Sequence, residues 1–262
     1  MLRRAAFVLL YAAGRLGEAA GAVLHYAAAG TLSLADLRAG TVARWSAFGA
    51  MESEGHRDSG LMQWERTLYL AALKPGERVL SVGCGTGRDV IALLRAGYQV
   101  DGIDTAADCV EAARRAVATR GLVAWLAPGA LETVTLPARY DGIIFSWYCY
   151  SYIPGAAARI GALRHAREAL TDGGRVLISY LSIGNSRRYP LIAITRAVAR
   201  LTGSDWRAER GDVVLLSSPR RRRVHYEHHF APSELEAEAR AAGLRVALHD
   251  VPDDGHVVLV RE

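Results

Sequence analysis

The sequence predicts an α/β fold: a mostly parallel sheet with helices on both faces and a last strand running antiparallel. Three observations carry this. From Arg78 onward, short runs apolar on both faces alternate with amphipathic ones, the βαβα pattern of a sheet covered on both sides. A glycine-rich turn, Val82-Gly83-Cys84-Gly85-Thr86-Gly87, separates the first such run from the helix after it. The short link Pro252-Asp-Asp-Gly255 between the last two runs reads as a hairpin, which reverses the final strand.

Residues 1–30 read as a helix. Met1-Leu-Arg-Arg followed by the apolar Ala5–Ala13 has the make-up of a secretory leader, but Arg15 and Glu18 interrupt it. The longest uncharged stretch, Ala19–Ala35, is 17 residues and rich in Ala and Gly, short of a membrane span. This helix either packs on the body of the protein or lies on a membrane surface. Residues 33–48 form a second helix, with Ser33 as N-cap and Asp36 three residues on. Residues 59–73 form a third, since Leu61, Trp64, Leu68 and Leu73 recur at near-helical spacing. Lys74-Pro75-Gly76-Glu77 then breaks the pattern.

The alternation follows. Val79–Val82 is a buried strand, Asp89–Ala96 a helix stopped by Gly97, and Tyr98–Ile103 a strand ending at Asp104. Ala106–Arg120 is helical and closes at Gly121; Leu122–Leu126 and Tyr140–Trp147 are the third and fourth strands. Ala156–Leu170 is helical, and Asp172-Gly173-Gly174 turns into the strand Arg175–Tyr180. The tail adds a helix at Pro232–Ala242 and strands near Leu244–Leu248 and His256–Val260. Residues 181–229 interrupt this rhythm: Leu191, Ile194, Val198 and Leu201 stripe one helix, and Val213–Leu216 can pair with Val224–His228. We read that insertion, with the helical extension 1–60, as a cap over the carboxyl ends of the strands.

Composition bounds the rest. A chain of 262 residues, 51% hydrophobic, suits one large domain with a cap and excludes a disordered chain. The net charge is +5, and Lys74 is the only lysine among 32 basic residues. Arginine forks onto carboxylates and phosphates, although a coding bias toward Arg explains the count equally well. Cys84, Cys109 and Cys149 are odd in number and widely spaced, giving neither a disulfide framework nor a metal site. A reducing compartment, the cytoplasm or its membrane surface, fits them.

The turn at 83–87 bares main chain at the carboxyl end of a strand, where open α/β sheets bind ligands. Its glycines run G-x-G-x-G, with Arg88 where a dinucleotide fingerprint has its third glycine, and no G-K-[ST] follows. Asp104, at the tip of the second strand, is placed to accept from ribose hydroxyls. A ribose without a pyrophosphate is the inference.

These residues resemble the class I S-adenosylmethionine-dependent methyltransferases of the small-molecule type. The likeness is carried by RVLSVGCGTGRDVIALLRAGYQVDGID at 78–104, DGIIFSW at 141–147 and LTDGGRVLISY at 170–180. It implies a Rossmann-like seven-stranded sheet whose last strand is antiparallel, within a methyltransferase domain over 61–262. It also implies S-adenosyl-L-methionine as cofactor and S-adenosyl-L-homocysteine as product. Gly83, Cys84, Gly85, Thr86 and Gly87 would hold the methionine end, Asp104 and Thr105 the ribose, and Ala130 and Leu131 the adenine. Ser146 and Trp147 would line the boundary with the acceptor. Ser81 stands where the family usually carries an acid.

The acceptor is expected to be a small molecule methylated on oxygen or nitrogen. Tyr148 and Tyr152 follow the fourth strand, where acceptors sit in this fold; packing of the next helix explains them equally well. His228 is the candidate base, with Tyr148 beside it in the catalytic role. Tyr152, Arg187, His225 and Trp64 are the candidate acceptor-binding residues. No metal ligand set is evident. Alternatives are a lipid headgroup methylated at a membrane surface through residues 1–30, and a catalytically silent binder of the cofactor. Nucleic acid is disfavoured, because the sequence lacks a [DNS]-P-P-[YFW] base clamp. Cys149 lacks the preceding proline of a carbon-5 methylating nucleophile.

Overall fold

A computed structural model describes residues 2–183, 191–218, 223–250 and 255–262. The helical front comprises α1 (Leu2–Ala29), α2 (Leu34–Met51), α3 (Glu54–Arg57) and α4 (Gln63–Ala72). The alternating part runs β1 (Arg78–Val82), α5 (Arg88–Arg95), β2 (Gln99–Asp104), α6 (Ala107–Thr119), β3 (Leu126–Pro128), β4 (Tyr140–Phe145), α7 (Ala156–Ala169) and β5 (Leu170–Tyr180). The inserted α8 (Ile192–Thr202), β6 (Asp212–Ser218) and β7 (Arg223–His228) come next. The chain closes with α9 (Pro232–Ala241), β8 (Leu244–Asp250) and β9 (Gly255–Arg261).

Seven strands form one sheet in the order β3-β2-β1-β4-β5-β9-β8. β1 pairs in parallel with both β2 and β4, while β9 runs antiparallel to both β5 and β8. The sheet is therefore Rossmann-like, with only its last strand reversed. Its chain order changes direction between β1 and β4, so the carboxyl ends of these two strands open the crevice where such sheets bind ligands. Two apolar cores lie on opposite faces: Ile143, Phe145, Leu163 and Leu235 on one, Val79, Ile91, Val110 and Ile144 on the other.

A smaller core sits above the carboxyl ends. Leu37 of α2, Ile192 of α8, Trp206, Val214 of β6 and Tyr226 of β7 pack together. The start of α2 is fixed by a capping box, with Ser33 Oγ accepting from Asp36 N at 3.1 Å and Asp36 Oδ2 accepting from Ser33 N at 2.9 Å. Gly40 lets α2 lie directly on β7, since a Cβ there would sit 2.8 Å from Val224 Cβ. Beyond this core, the outer part of α1 leaves Leu9, Leu10, Leu16 and Leu24 exposed. Among the described residues no helix is long and apolar enough to cross a membrane.

Several sequence expectations need local correction. The third strand begins at Leu126 rather than Leu122; its ladder starts where Gly102 N donates to Trp125 O at 2.9 Å, and Val123 points into solvent. The fourth strand stops at Phe145 because Trp147 and Tyr148 both turn left-handed, φ +38° and +59°. In α8 the buried line is Ile192, Thr195 and Ala199, one position off the expected stripe, and Leu201 is exposed. Residues 59–73 split, so Leu61 precedes α4. Pro252 to Asp254, Arg220 to Arg222, Arg187 and Arg188 lie outside the described residues.

Candidate active site

The glycine turn closes onto β2. Gly83 N and Cys84 N both donate to Ile103 O, at 2.9 and 3.0 Å. Gly83, Cys84, Gly85 and Thr86 line a cavity of about 460 Å³, within the range of small-molecule sites. At Gly85, whose φ is +52°, a Cβ would meet nothing within 4 Å, so bare main chain faces open space. Gly87 has another task. It does not line the cavity; with φ +99° it caps α5, and a Cβ would press to 3.2 Å on Ala113 of α6. Its place in the structure is the packing of α5 on α6.

Asp104 sits beneath the turn. Its Oδ2 accepts from Gly85 N at 2.9 Å and its Oδ1 from Ala106 N at 2.8 Å. Each oxygen keeps further acceptor capacity, which suits a vicinal diol. Burial raises its pKa, and the two amides partly offset that. Thr105, Ala130 and Leu131 line the same end, as does Glu132. The hydroxyl of Thr86, buried in the cavity wall, makes no hydrogen bond among the described residues. Bare turn, diol acceptor and orphaned hydroxyl together fit a nucleoside bearing a polar tail.

At the other end of the turn, Ser146 N donates to Val82 O at 3.0 Å, and Ser146 Oγ donates to Asp89 Oδ2. Trp147 presents its ring to the cavity, with the Arg88 guanidinium 5.0 Å from its centre. Two consecutive non-glycine residues in left-handed geometry carry strain of about 1–3 kcal/mol each. That reversal aims Trp147 inward and Tyr148 outward. Tyr148 stacks on Trp64 at 5.6 Å, and Trp64 on His256 at 4.8 Å. Neither Tyr148 nor Trp64 lines the cavity.

Tyr152 does line it, packed 5.2 Å from the ring of Trp45. Burial pushes its phenol well above the ordinary tyrosine range. His225 lies behind that wall, its ring 5.8 Å from Tyr152 and its Nε2 on Glu227 Oε1. His228 is wholly buried elsewhere: its Nδ1 meets Asp212 Oδ1 at 2.6 Å and its Nε2 meets Glu234 Oε1 at 3.1 Å. With both ring nitrogens engaged and neither in the cavity, it has no position from which to take an acceptor's proton. Among the described residues no histidine lines the cavity. Arg187 lies outside the described residues.

The cavity wall contains residues that sequence reasoning passed over. Arg38, Thr41, Val42, Phe48 and Glu52 come from α2 and its end, and Ile153 and Pro154 follow Tyr152. Arg88 and Asp89 join from the first turn of α5. A signal for Arg88 existed: Glu65 falls within the apolar stripe of α4, between Trp64 and Leu68, so a buried cation had to meet it. Arg88 does, through Nη1 to Glu65 Oε2 at 2.8 Å and Nη2 to Glu65 Oε1. All three cysteine thiols are pushed up by burial, Cys109 to about 12, which leaves them poor nucleophiles.

This fold and site define a class. A family model described as a methyltransferase domain matches residues 55–249, and the chain belongs to that family. Its fold is that of the class I S-adenosylmethionine-dependent methyltransferases. Among curated proteins it is 32% identical over 176 residues to a ubiquinone biosynthesis O-methyltransferase of Bordetella avium, covering 67% of this chain and 65% of that one. A protein of the same description from Xylella fastidiosa is 29% identical over 173 residues, covering 65% and 62%. The chain thus spans less than two thirds of the length of either relative. Among solved structures, the CcbJ methyltransferase of Streptomyces caelestis superposes with a TM-score of 0.57 at 18% identity, covering 81% of this chain and 92% of that one. An S-adenosylmethionine-dependent methyltransferase of Methanosarcina mazei gives 0.58 at 18%, covering 77% and 98%. These two likenesses show the fold.

Proposed function

We propose that the protein methylates a hydroxyl oxygen of a small, largely apolar and aromatic acceptor. The observation that carries this reading is the wall opposite the glycine turn. Trp45, Phe48, Trp147, Tyr152 and Ile153 enclose the cavity there, a surface that suits a flat ring better than a sugar or a charged headgroup. The names of the two curated relatives support oxygen as the atom methylated.

Bound S-adenosylmethionine supplies an activated methyl group, so alignment and exclusion of water account for much of what the protein must do. Asp104 holds the ribose, Gly83 and Gly85 border the methionine end, and the aromatic wall sets the acceptor's plane. Tyr152, kept protonated by burial, hydrogen-bonds the acceptor oxygen and does not take its proton, which would pass to solvent as the oxygen gains the methyl group and S-adenosylhomocysteine leaves. We assign α2 and the segment 181–229 to a cap that orders the acceptor half of the site. The extension is then residues 1–60, and the methyltransferase domain 61–262. The test is methyl transfer to a panel of phenols and hydroquinones against matched anilines and aliphatic alcohols. O-methyl ethers from the phenolic set support the reading, whereas turnover confined to amines contradicts it.

A second reading concerns where the acceptor is met. The exposed leucines of α1 favour work at a membrane surface, where a lipid-soluble acceptor would partition. Co-sedimentation with anionic vesicles that disappears on deleting residues 1–22 supports it; equal sedimentation of both forms sinks it.

A further inference from the structure

We propose that Asp89 is a cofactor-binding residue of this chain, taking the ammonium group at the methionine end of S-adenosylmethionine.

The placement comes first. Asp89 is the second residue of α5, two places after the last glycine of the turn, and lines the cavity while only 4% exposed. Its Oδ2 accepts from Ser146 Oγ, which orients the carboxylate between the ends of β1 and β4. Its Oδ1 lies 2.7 Å from Arg88 Nη2. Arg88 is already committed, however. It forks onto Glu65, which is wholly buried, and donates to Gly60 O at 3.0 Å. Two buried carboxylates therefore share one guanidinium, and a surplus negative charge borders the cavity.

A surplus buried charge is unfavourable in the empty site and favourable once a cation enters. The groups facing Asp89 say the same from every side. Glu65 of α4 and Glu52 at the end of α2 repel its charge, Arg88 of α5 attracts it, and Ser146 after β4 hydrogen-bonds it. Tyr69 of α4 and Cys149 lie close enough to feel it, and burial keeps both protonated. Burial and Glu65 outweigh Arg88 and raise the carboxyl to about 6. The orphaned hydroxyl of Thr86, in the same wall, provides a second polar contact for the same end of a ligand. Asp104 takes the cofactor's ribose, and the glycine turn leads from there to Asp89, which therefore stands at the methionine end, where the ammonium lies.

The test compares S-adenosylhomocysteine with its deaminated analogue, which keeps the carboxylate and lacks the ammonium, by calorimetry on the full chain. Wild-type protein should bind the amino form at least tenfold more tightly. Asp89→Asn should lose about tenfold toward the amino form and little toward the analogue, so the preference collapses. The same variant, without ligand, should melt a few degrees above wild type at pH 7.5, because it removes an uncompensated buried charge. A residue that merely holds the fold together would do the opposite. Equal losses toward both ligands, an unchanged preference, or a lower melting temperature would each overturn the assignment. If wild-type protein bound neither ligand, the cofactor assignment would fail first and carry this one with it.

Discussion

His228 and Asp212 face each other across the β6–β7 hairpin as register partners, Nδ1 to Oδ1 at 2.6 Å, with the ring closed on its other side by Glu234 of α9. The contact ties the β6–β7 pair to α9, which belongs to the main sheet's unit. Burial alone would depress the imidazole, but hydrogen bonds to Asp212 and Glu234 more than reverse this, and the pKa rises above 6.5. A raised histidine stabilises fully below its unfolded pKa, and its contribution fades as pH climbs through the folded one. The melting temperature should therefore decline as pH rises above 6.5, and His228→Gln should flatten that decline.

Asp212 accepts from Tyr226 Oη at 2.7 Å and from Glu209 N at 2.7 Å besides meeting His228. Its removal strands three groups at once. Asp212→Ala should cost about 3–5 kcal/mol of stability, the scale of breaking a buried pair. Chemical denaturation checks this, and a loss below about 1 kcal/mol would show the network to be dispensable.

Asp104→Ala should weaken S-adenosylhomocysteine binding by about 1–3 kcal/mol, the penalty for leaving buried hydrogen-bonding groups unpaired. Calorimetry reads this directly. Unchanged affinity would move the ribose elsewhere.

Gly87→Ala puts a side chain on a left-handed residue and against Ala113. The expected result is a stability loss of about 1–3 kcal/mol. Per molecule that remains folded, cofactor affinity should change little. A selective loss of affinity at unchanged melting temperature would return Gly87 to the cavity wall.

The turn, Asp104 and the reversed last strand were legible because each is written locally, in a few adjacent residues after a strand. The acceptor wall was not. Trp45 and Phe48 lie in α2, far along the chain from Trp147 and Tyr152, and only the packing of α2 brings them together. Tyr148 misled for a backbone reason: alternation along a strand cannot foresee a left-handed pair, and that pair exchanges inward for outward. His228 misled for an electrostatic one. A histidine beside a helix of glutamates reads as a free base until the fold closes both nitrogens, here with Asp212 from one strand away and Glu234 from the next helix. Trp45→Ala tests that wall: the acceptor KM should rise about tenfold, as when a buried aromatic contact is lost, with cofactor affinity within about twofold.

Methyl transfer to a small apolar acceptor is best followed through the methyl group itself. Purified protein and methyl-labelled S-adenosylmethionine would be incubated with a cell extract split into organic-soluble, small aqueous and macromolecular fractions, with Asp104→Ala as control. Label should appear in the organic-soluble fraction, as an alkali-stable O-methyl ether, and fall sharply in the control. Label confined to macromolecules, or none above the control, would contradict it.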